Sequence, residues 1–253
     1  MSLKSLLNDL MPAGLKHGIG NLKRSRERRL VSQLPIQEAF DQVYKKGLWG
    51  RGDASSGPGS ENVFADRYVA FVQDYAAKHT LRTVVDGGCG DFQVGSRLAS
   101  SFDRYTALDV SPFIIDINKR RYAQDSALQH VNFGVADMTS AAFPPADLIL
   151  IRQVLQHLTN AQIEQVLRNL EAGTWRRVLI TEDVCDPANR PTPNIDLPTH
   201  SVRTRTPLGS GVFIDKAPFN RAATRLTFFE GAEADKDSRS GLLIFELSRE
   251  AAP

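Results

Sequence analysis

The spacing of apolar and polar positions divides the chain into a helical front, a repeating strand–helix middle and a β-rich tail. Leu3, Leu6, Leu7, Leu10 and Met11 recur at helical spacing, and Gly14, Gly18 and Gly20 then break the pattern. Residues 36–49 read as a second helix ending at Trp49. The glycine- and serine-rich stretch 50–60 is a loop. Ser60 suits the N-cap of a helix carrying the periodic run Val63, Phe64, Tyr68, Phe71, Val72 and Tyr75. From residue 83 onward, short β-rich runs alternate with helical ones. Strands are expected at 83–86, 105–109, 131–135, 148–151 and 177–181, with helices running to about 100, over 113–124 and around 153–171. This rhythm predicts an α/β fold with a mostly parallel sheet and helices on both faces.

The tail breaks the rhythm. Pro187, Pro191, Pro193, Pro198, Pro207 and Pro218 mark 184–220 as a long irregular insertion. Two β-rich runs, 224–229 and 242–247, flank a polar loop and predict an antiparallel hairpin closing one edge of the sheet. Three parts follow: an arm at 1–35, a helix and loop at 36–60, and the α/β domain at 61–253 with its insertion at about 184–220.

Composition changes this picture in two places. The 253 residues, 42% hydrophobic and 24% charged, suffice for one well-cored α/β domain, and the net charge of +2 gives no reason to expect nucleic acid as a partner. The charge is uneven, however. Lys4, Lys16, Lys23, Arg24, Arg26, Arg28 and Arg29 face only Asp9 and Glu27 in the first thirty residues. Such an arm reads as a flexible extension or a helix packed on a neighbouring subunit of a homo-oligomer. The sharper reading of residues 1–30 is a basic helix resting on an anionic membrane surface. Cys89 and Cys185 are too few for a disulfide framework, no CxxC exists and the five histidines are scattered, so no metal site is expected. With no apolar run long enough to span a membrane and no signal-like leader, the expected location is the cytoplasm.

The chemistry concentrates after the first strand. Val84-Val85-Asp86-Gly87-Gly88-Cys89-Gly90-Asp91-Phe92 is a buried strand ending in a carboxylate, followed by a glycine turn that admits close approach of a ligand. The next strand ends in Asp109, suitably placed to take both hydroxyls of a ribose. A dinucleotide fingerprint needs glycine at position 93, which is Gln93, and Asp86 and Asp91 would repel a pyrophosphate. A cationic, phosphate-free nucleoside suits the loop better.

Asp86-x-Gly88-x-Gly90 resembles the first motif of the class I, Rossmann-like S-adenosylmethionine-dependent methyltransferases. The resemblance covers residues 60–183 strongly and 220–248 weakly. It implies a seven-stranded, mostly parallel sheet with the C-terminal hairpin, and S-adenosylmethionine as cofactor. By position in the motifs it assigns cofactor contacts to Asp86, Gly87, Gly88, Gly90, Asp109, Val110, Asp137, Met138, Arg152 and Gln153. Phe92 stands where many members have a small residue, which implies a loop more closed above the methionine moiety. The upstream Phe40-Asp41-x-x-Tyr44-x-x-x-x-Trp49-Gly50 and Ser56-Gly57-Pro58-Gly59-Ser60 resemble a bacterial subgroup linked to surface-polysaccharide and glycan biosynthesis. In such enzymes an N-terminal helix and loop close over the cofactor, so 40–60 is the lid candidate. Trp49 is then a cofactor contact through cation–π attraction and Tyr44 a substrate contact. Ordinary packing is the competing role for both aromatics.

Methyl transfer to an alcohol needs alignment and a general base. His157, after the fourth strand, is the first candidate for that base. Glu182 and Asp183, at the end of the fifth, are the others. Asn194, Asp196, His200 and Arg203 in the insertion supply polar groups for an acceptor. The expected activity is O-methylation of a sugar or glycan intermediate. The alternatives are methylation of another small molecule such as a natural product, NAD-dependent oxidoreduction, and cofactor binding without catalysis. Nucleic acid is not expected as the acceptor, because Ile151-Arg152-Gln153 stands where base-amino methyltransferases carry their Asn-Pro-Pro-Tyr/Phe type motif.

Overall fold

A computed structural model describes residues 25–49, 55–57, 63–231 and 240–249. Most of the basic arm, the flanks of the lid loop and the tip of the hairpin lie outside the described residues. The membrane reading of residues 1–30 therefore falls largely outside them. Among the described residues no helix is long and apolar enough to cross a membrane.

Helix α1 (Ile36–Lys45) and helix α2 (Val63–Lys78) precede the sheet. The expected helix 36–49 stops at Lys45, because Gly47 has a positive φ of 56° and the chain turns back there to place Leu48 and Trp49. The core then runs β1 (Thr83–Gly87), α3 (Gln93–Leu98), β2 (Arg104–Asp109), α4 (Pro112–Tyr122), β3 (Val131–Val135), β4 (Ala146–Arg152), α5 (Asn160–Ala172) and β5 (Trp175–Cys185). Strands β6 (Thr224–Glu230) and β7 (Ser240–Ser248) close it.

The seven strands lie in the order β3-β2-β1-β4-β5-β7-β6. The first five are parallel, and β7 runs antiparallel between β5 and β6. Strand order reverses between β1 and β4, which opens a crevice at their carboxyl ends. The sheet is covered on both faces. Val85, Ile149, Ile151, Val178 and Ile180 pack under α5 and the insertion. Val84, Leu148, Leu150, Leu179 and Ile244 pack under α2 and α3. Because side chains alternate along a strand, the parity of a residue decides which face it joins. That parity separates the two acids at the end of β5.

α5 starts at a capping box, with Thr159 and Gln162 satisfying each other's end of the first turn. α4 starts with Ser111 as N-cap and Pro112 in its first turn. Asp41 of α1 reaches over the same end, accepting from the Ser111 hydroxyl and from Phe113 N at 3.2 Å. An acid there is favourable to the helix dipole, and it latches α1 above the β2–α4 turn.

Candidate active site

The crevice holds a cavity of about 620 Å³, within the range of small-molecule sites. Its floor is the β1–α3 turn. Gly88 (φ 79°) and Gly90 (φ 56°) adopt left-handed backbone conformations, and Gly88 N and Cys89 N both donate to Leu108 O. Gly90 faces the described part of the lid loop. Ser56 N donates to Asp91 Oδ2 at 3.0 Å, and Asp91 N donates to Ser56 Oγ at 2.8 Å.

Three carboxylates mark three strand ends. Asp86 lies 9% exposed at the end of β1, and burial lifts its carboxyl to about 6 against the pull of the Tyr105 hydroxyl and Arg152. Asp109 is likewise lifted to about 6 by burial, although Ser111 N, Gly90 N and the Tyr44 hydroxyl favour its charge. Its contact from Tyr44 is long, 3.4 Å, while Ser111 N and Gly90 N stand at 2.9 and 3.1 Å. Two of its roughly four accepting positions are thus firmly filled, a third is held only by the long Tyr44 contact, and one is left over. Asp137 is folded onto Thr139 N and Oγ1, which fixes the turn carrying Met138 along the cavity wall.

Gly88, Gly90, Asp109, Val110, Asp137, Met138, Arg152, Gln153 and Trp49, the residues expected to contact a cofactor, all line the cavity. Gly87 does not. It sits beneath Met138 and Phe143, where a Cβ would lie 2.5 Å from Met138 Sδ. Phe92 does not close over the cavity either. Its left-handed φ of 61° turns the ring into the core, edge-on to Tyr105, Tyr122 and Phe133.

Tyr44 and Trp49 both line the cavity, at different ends of it. Tyr44 reaches Asp109 with its hydroxyl. Trp49 packs on His157, with ring centroids 5.0 Å apart, and donates from Nε1 to Val202 O. His157 is buried and clamped to the insertion. Ser201 N donates to His157 O at 2.7 Å, and Nδ1 lies 3.0 Å from Ser201 O. A carbonyl can only accept, so Nδ1 carries the proton and Nε2 keeps its lone pair, toward which Gln156 Nε2 donates at a long 3.4 Å. Burial pulls this imidazole down to about 4, so the ring is neutral at physiological pH.

The acids of β5 diverge. Glu182 is fully buried on the α5 face and accepts from Val154 N, Leu155 N and Gln156 N at 3.2, 2.9 and 3.0 Å. It caps the turn that carries His157, and it lies off the cavity. Burial lifts it to about 8 against those three donors. Asp183 points to the other face and does line the cavity, lifted by burial to about 6.

The insertion contributes different residues from those expected. Asn194, Asp196, His200 and Arg203 all lie off the cavity. Asn194 binds the Phe213 and Ala217 backbone, Asp196 accepts from Asn160 N, His200 packs on Phe40, and Arg203 is exposed. Val202 and Thr204 line the cavity instead, one on either side of Arg203. Sequence reasoning also missed Ile36, Phe40, Tyr68 and Leu158. The i, i+4 spacing of Phe40 and Tyr44 carried a signal for one of them. Among the described residues no group of His, Cys, Asp or Glu could hold a metal ion.

Comparison with known proteins agrees with this geometry. A family model described as a methyltransferase domain matches residues 85–173. No curated protein sequence matches the chain. Among solved structures, the N-methyltransferase NodS from Bradyrhizobium japonicum, in complex with S-adenosyl-L-homocysteine, is similar at 17% identity and a TM-score of 0.59, covering 83% of this chain and 98% of that one. Magnesium protoporphyrin IX methyltransferase from Synechocystis, with bound S-adenosylmethionine, is similar at 15% identity and a TM-score of 0.54, covering 85% and 98%. The YcgJ protein from Bacillus subtilis is similar at 14% identity and a TM-score of 0.53, covering 74% and 100%. The chain therefore has the class I S-adenosylmethionine-dependent methyltransferase fold, with a methyltransferase-domain match over residues 85–173.

Proposed function

We propose that this protein is an S-adenosylmethionine-dependent methyltransferase that methylates a hydroxyl of a sugar or glycan intermediate. The observation that carries the cofactor half is the conjunction of the left-handed Gly88–Gly90 turn with Asp86, Asp109 and Asp137 around one cavity. Those residues fit the cofactor by charge and donor set. Asp109 and Gly90 would hold the ribose, Asp137 and Met138 the adenine, and Asp86 with the glycine turn the methionine end. Bound there, S-adenosylmethionine supplies a sulfonium methyl already activated for transfer. The chain's own work is to exclude water, seat the acceptor and take up its proton. Neutral His157 offers Nε2 to orient the acceptor hydroxyl, and Asp183, a cavity carboxylate that burial lifts to about 6, is the candidate to take up its proton.

A second reading, methylation of a small molecule such as a natural product, is favoured by the apolar wall that Phe40, Trp49 and Val202 present to the cavity. Both readings require the same cofactor. Calorimetric titration with S-adenosyl-L-homocysteine, with NAD as control, tests it. Micromolar binding of the former alone is expected. Binding of NAD alone, or of neither, would refute the assignment.

A further inference from the structure

The charges around the cavity are one-sided. Among the described residues Asp86, Asp91, Asp109, Asp137 and Asp183 line it against a single cation, Arg152. Arg152 lies beside Asp86 and over the Tyr68 ring, 5.1 Å from its centroid, at the floor of the crevice. The one other titratable base, His157, is neutral.

Two arginines of the insertion, Arg203 and Arg205, are engaged elsewhere. Arg203 is exposed and off the cavity. Arg205 is fully buried and donates to Asn160 Oδ1 and Leu158 O, tying the insertion to the start of α5. A cationic cofactor offsets only one of the five carboxylates. An acceptor phosphate or carboxylate brought beside them would lose water and meet like charge.

The wall opposite is apolar. Ile36, Phe40, Trp49, Leu158 and Val202 line the cavity around His157. They come from three separate segments that converge there. Trp49 Nε1 holds Val202 O, and Thr199 Oγ1 holds Ser32 O, so α1 and the insertion meet as one roof. That roof buries Val31, Phe40, Val43, Leu48 and Val202 in a core of its own.

Resting on the proposed methyltransferase reading, we infer that the acceptor segment entering this cavity is uncharged and amphipathic. It lays an apolar face on the Phe40–Trp49–Val202 wall and offers a hydroxyl to His157 Nε2. A neutral glycoside fits this description. A sugar phosphate, or a nucleoside diphosphate sugar entering by its pyrophosphate end, does not.

The test uses the full chain with and without saturating S-adenosyl-L-homocysteine, and pairs of probes matched except for charge. The pairs are benzyl alcohol with benzoate, and phenyl β-glucoside with its 6-phosphate. Binding is read by calorimetry and by saturation-transfer NMR. The neutral member of each pair is expected to bind at least tenfold more tightly, and Val202→Lys should shrink or reverse that preference. Tighter binding of the charged members, equal binding of both, or binding of none overturns the inference. Failure of S-adenosyl-L-homocysteine itself to bind counts instead against the methyltransferase reading, and the titrations without it still score the cavity's choice of charge.

Discussion

Replacing Asp86 with asparagine should stabilise the free protein, and more so at alkaline pH. The carboxyl is 9% exposed, and burial, with the neighbouring Asp109 charge adding to it, raises its pKa from 3.8 to about 6 despite Tyr105 and Arg152. An acid whose pKa rises on folding holds its proton better in the native state. The stability this confers is fully present below pH 3.8 and is lost as pH rises through 6. The whole shift corresponds to about 3 kcal/mol, of which about 1.4 kcal/mol is lost between pH 5 and pH 8. Asparagine keeps an oxygen for the Tyr105 hydroxyl, 2.8 Å from Asp86 Oδ2 in the native protein, and carries no charge at either pH. Urea melts of both proteins at pH 5 and pH 8 should therefore show a gain for Asp86→Asn that is larger at pH 8 by about 1.4 kcal/mol. The same substitution should weaken binding of S-adenosyl-L-homocysteine, so stability and affinity move in opposite directions. A gain equal at the two pH values, or larger at pH 5, would show that Asp86 does not carry a buried charge cost.

Three further outcomes are expected. Asp109→Ala removes the carboxylate that faces Gly90 and Tyr44, and calorimetry should show S-adenosyl-L-homocysteine bound about 10- to 100-fold more weakly. Glu182→Ala strands three buried N–H groups, so it should cost about 3 kcal/mol in denaturant melts while cofactor affinity of the folded protein stays within about threefold; a large loss of affinity with normal stability would return Glu182 to the site. Gly90→Ala places a methyl 2.2 Å from Ser56 Oγ on a backbone with φ 56°, whereas Gly209→Ala has φ 69° with nothing within 4 Å. The second should cost only the left-handed backbone, about 1–2 kcal/mol, and the first more, with weaker cofactor binding besides.

The β1–β2 end of the cavity was legible because its signals are local. A strand ending in Asp86, the glycines that follow and Asp109 at the next strand end each depend on residues within one turn of chain. The apolar wall opposite was not, because it is assembled from distant segments. Val202 and Trp49 meet only in three dimensions, and nothing in Asn194 or Arg203 announces that one binds loop carbonyls and the other faces water. The divergence of Glu182 and Asp183 was legible in principle. Val178, Ile180 and Val184 share the parity of Glu182, so the acid that points under α5 could be read once that face was known. Phe92 illustrates the opposite difficulty. A non-glycine residue in the left-handed region is uncommon, and its reversed side-chain direction has no sequence signature.

The placement of β7 between β5 and β6 has a consequence for the order of assembly. β5 is the longest strand, and along most of its length its outer edge is paired only by β7. As the chain emerges, β1 to β5 can pair among themselves, but the edge of β5 waits for the whole insertion and β6 to follow. Until Ser240–Ser248 docks, Val178, Ile180 and Val184 lie along an open strand, a template for pairing with another chain. This late, non-local closure should set the pace of folding, and expression at high protein concentration should lose material to aggregation at this step rather than through failure of the β1–β4 half.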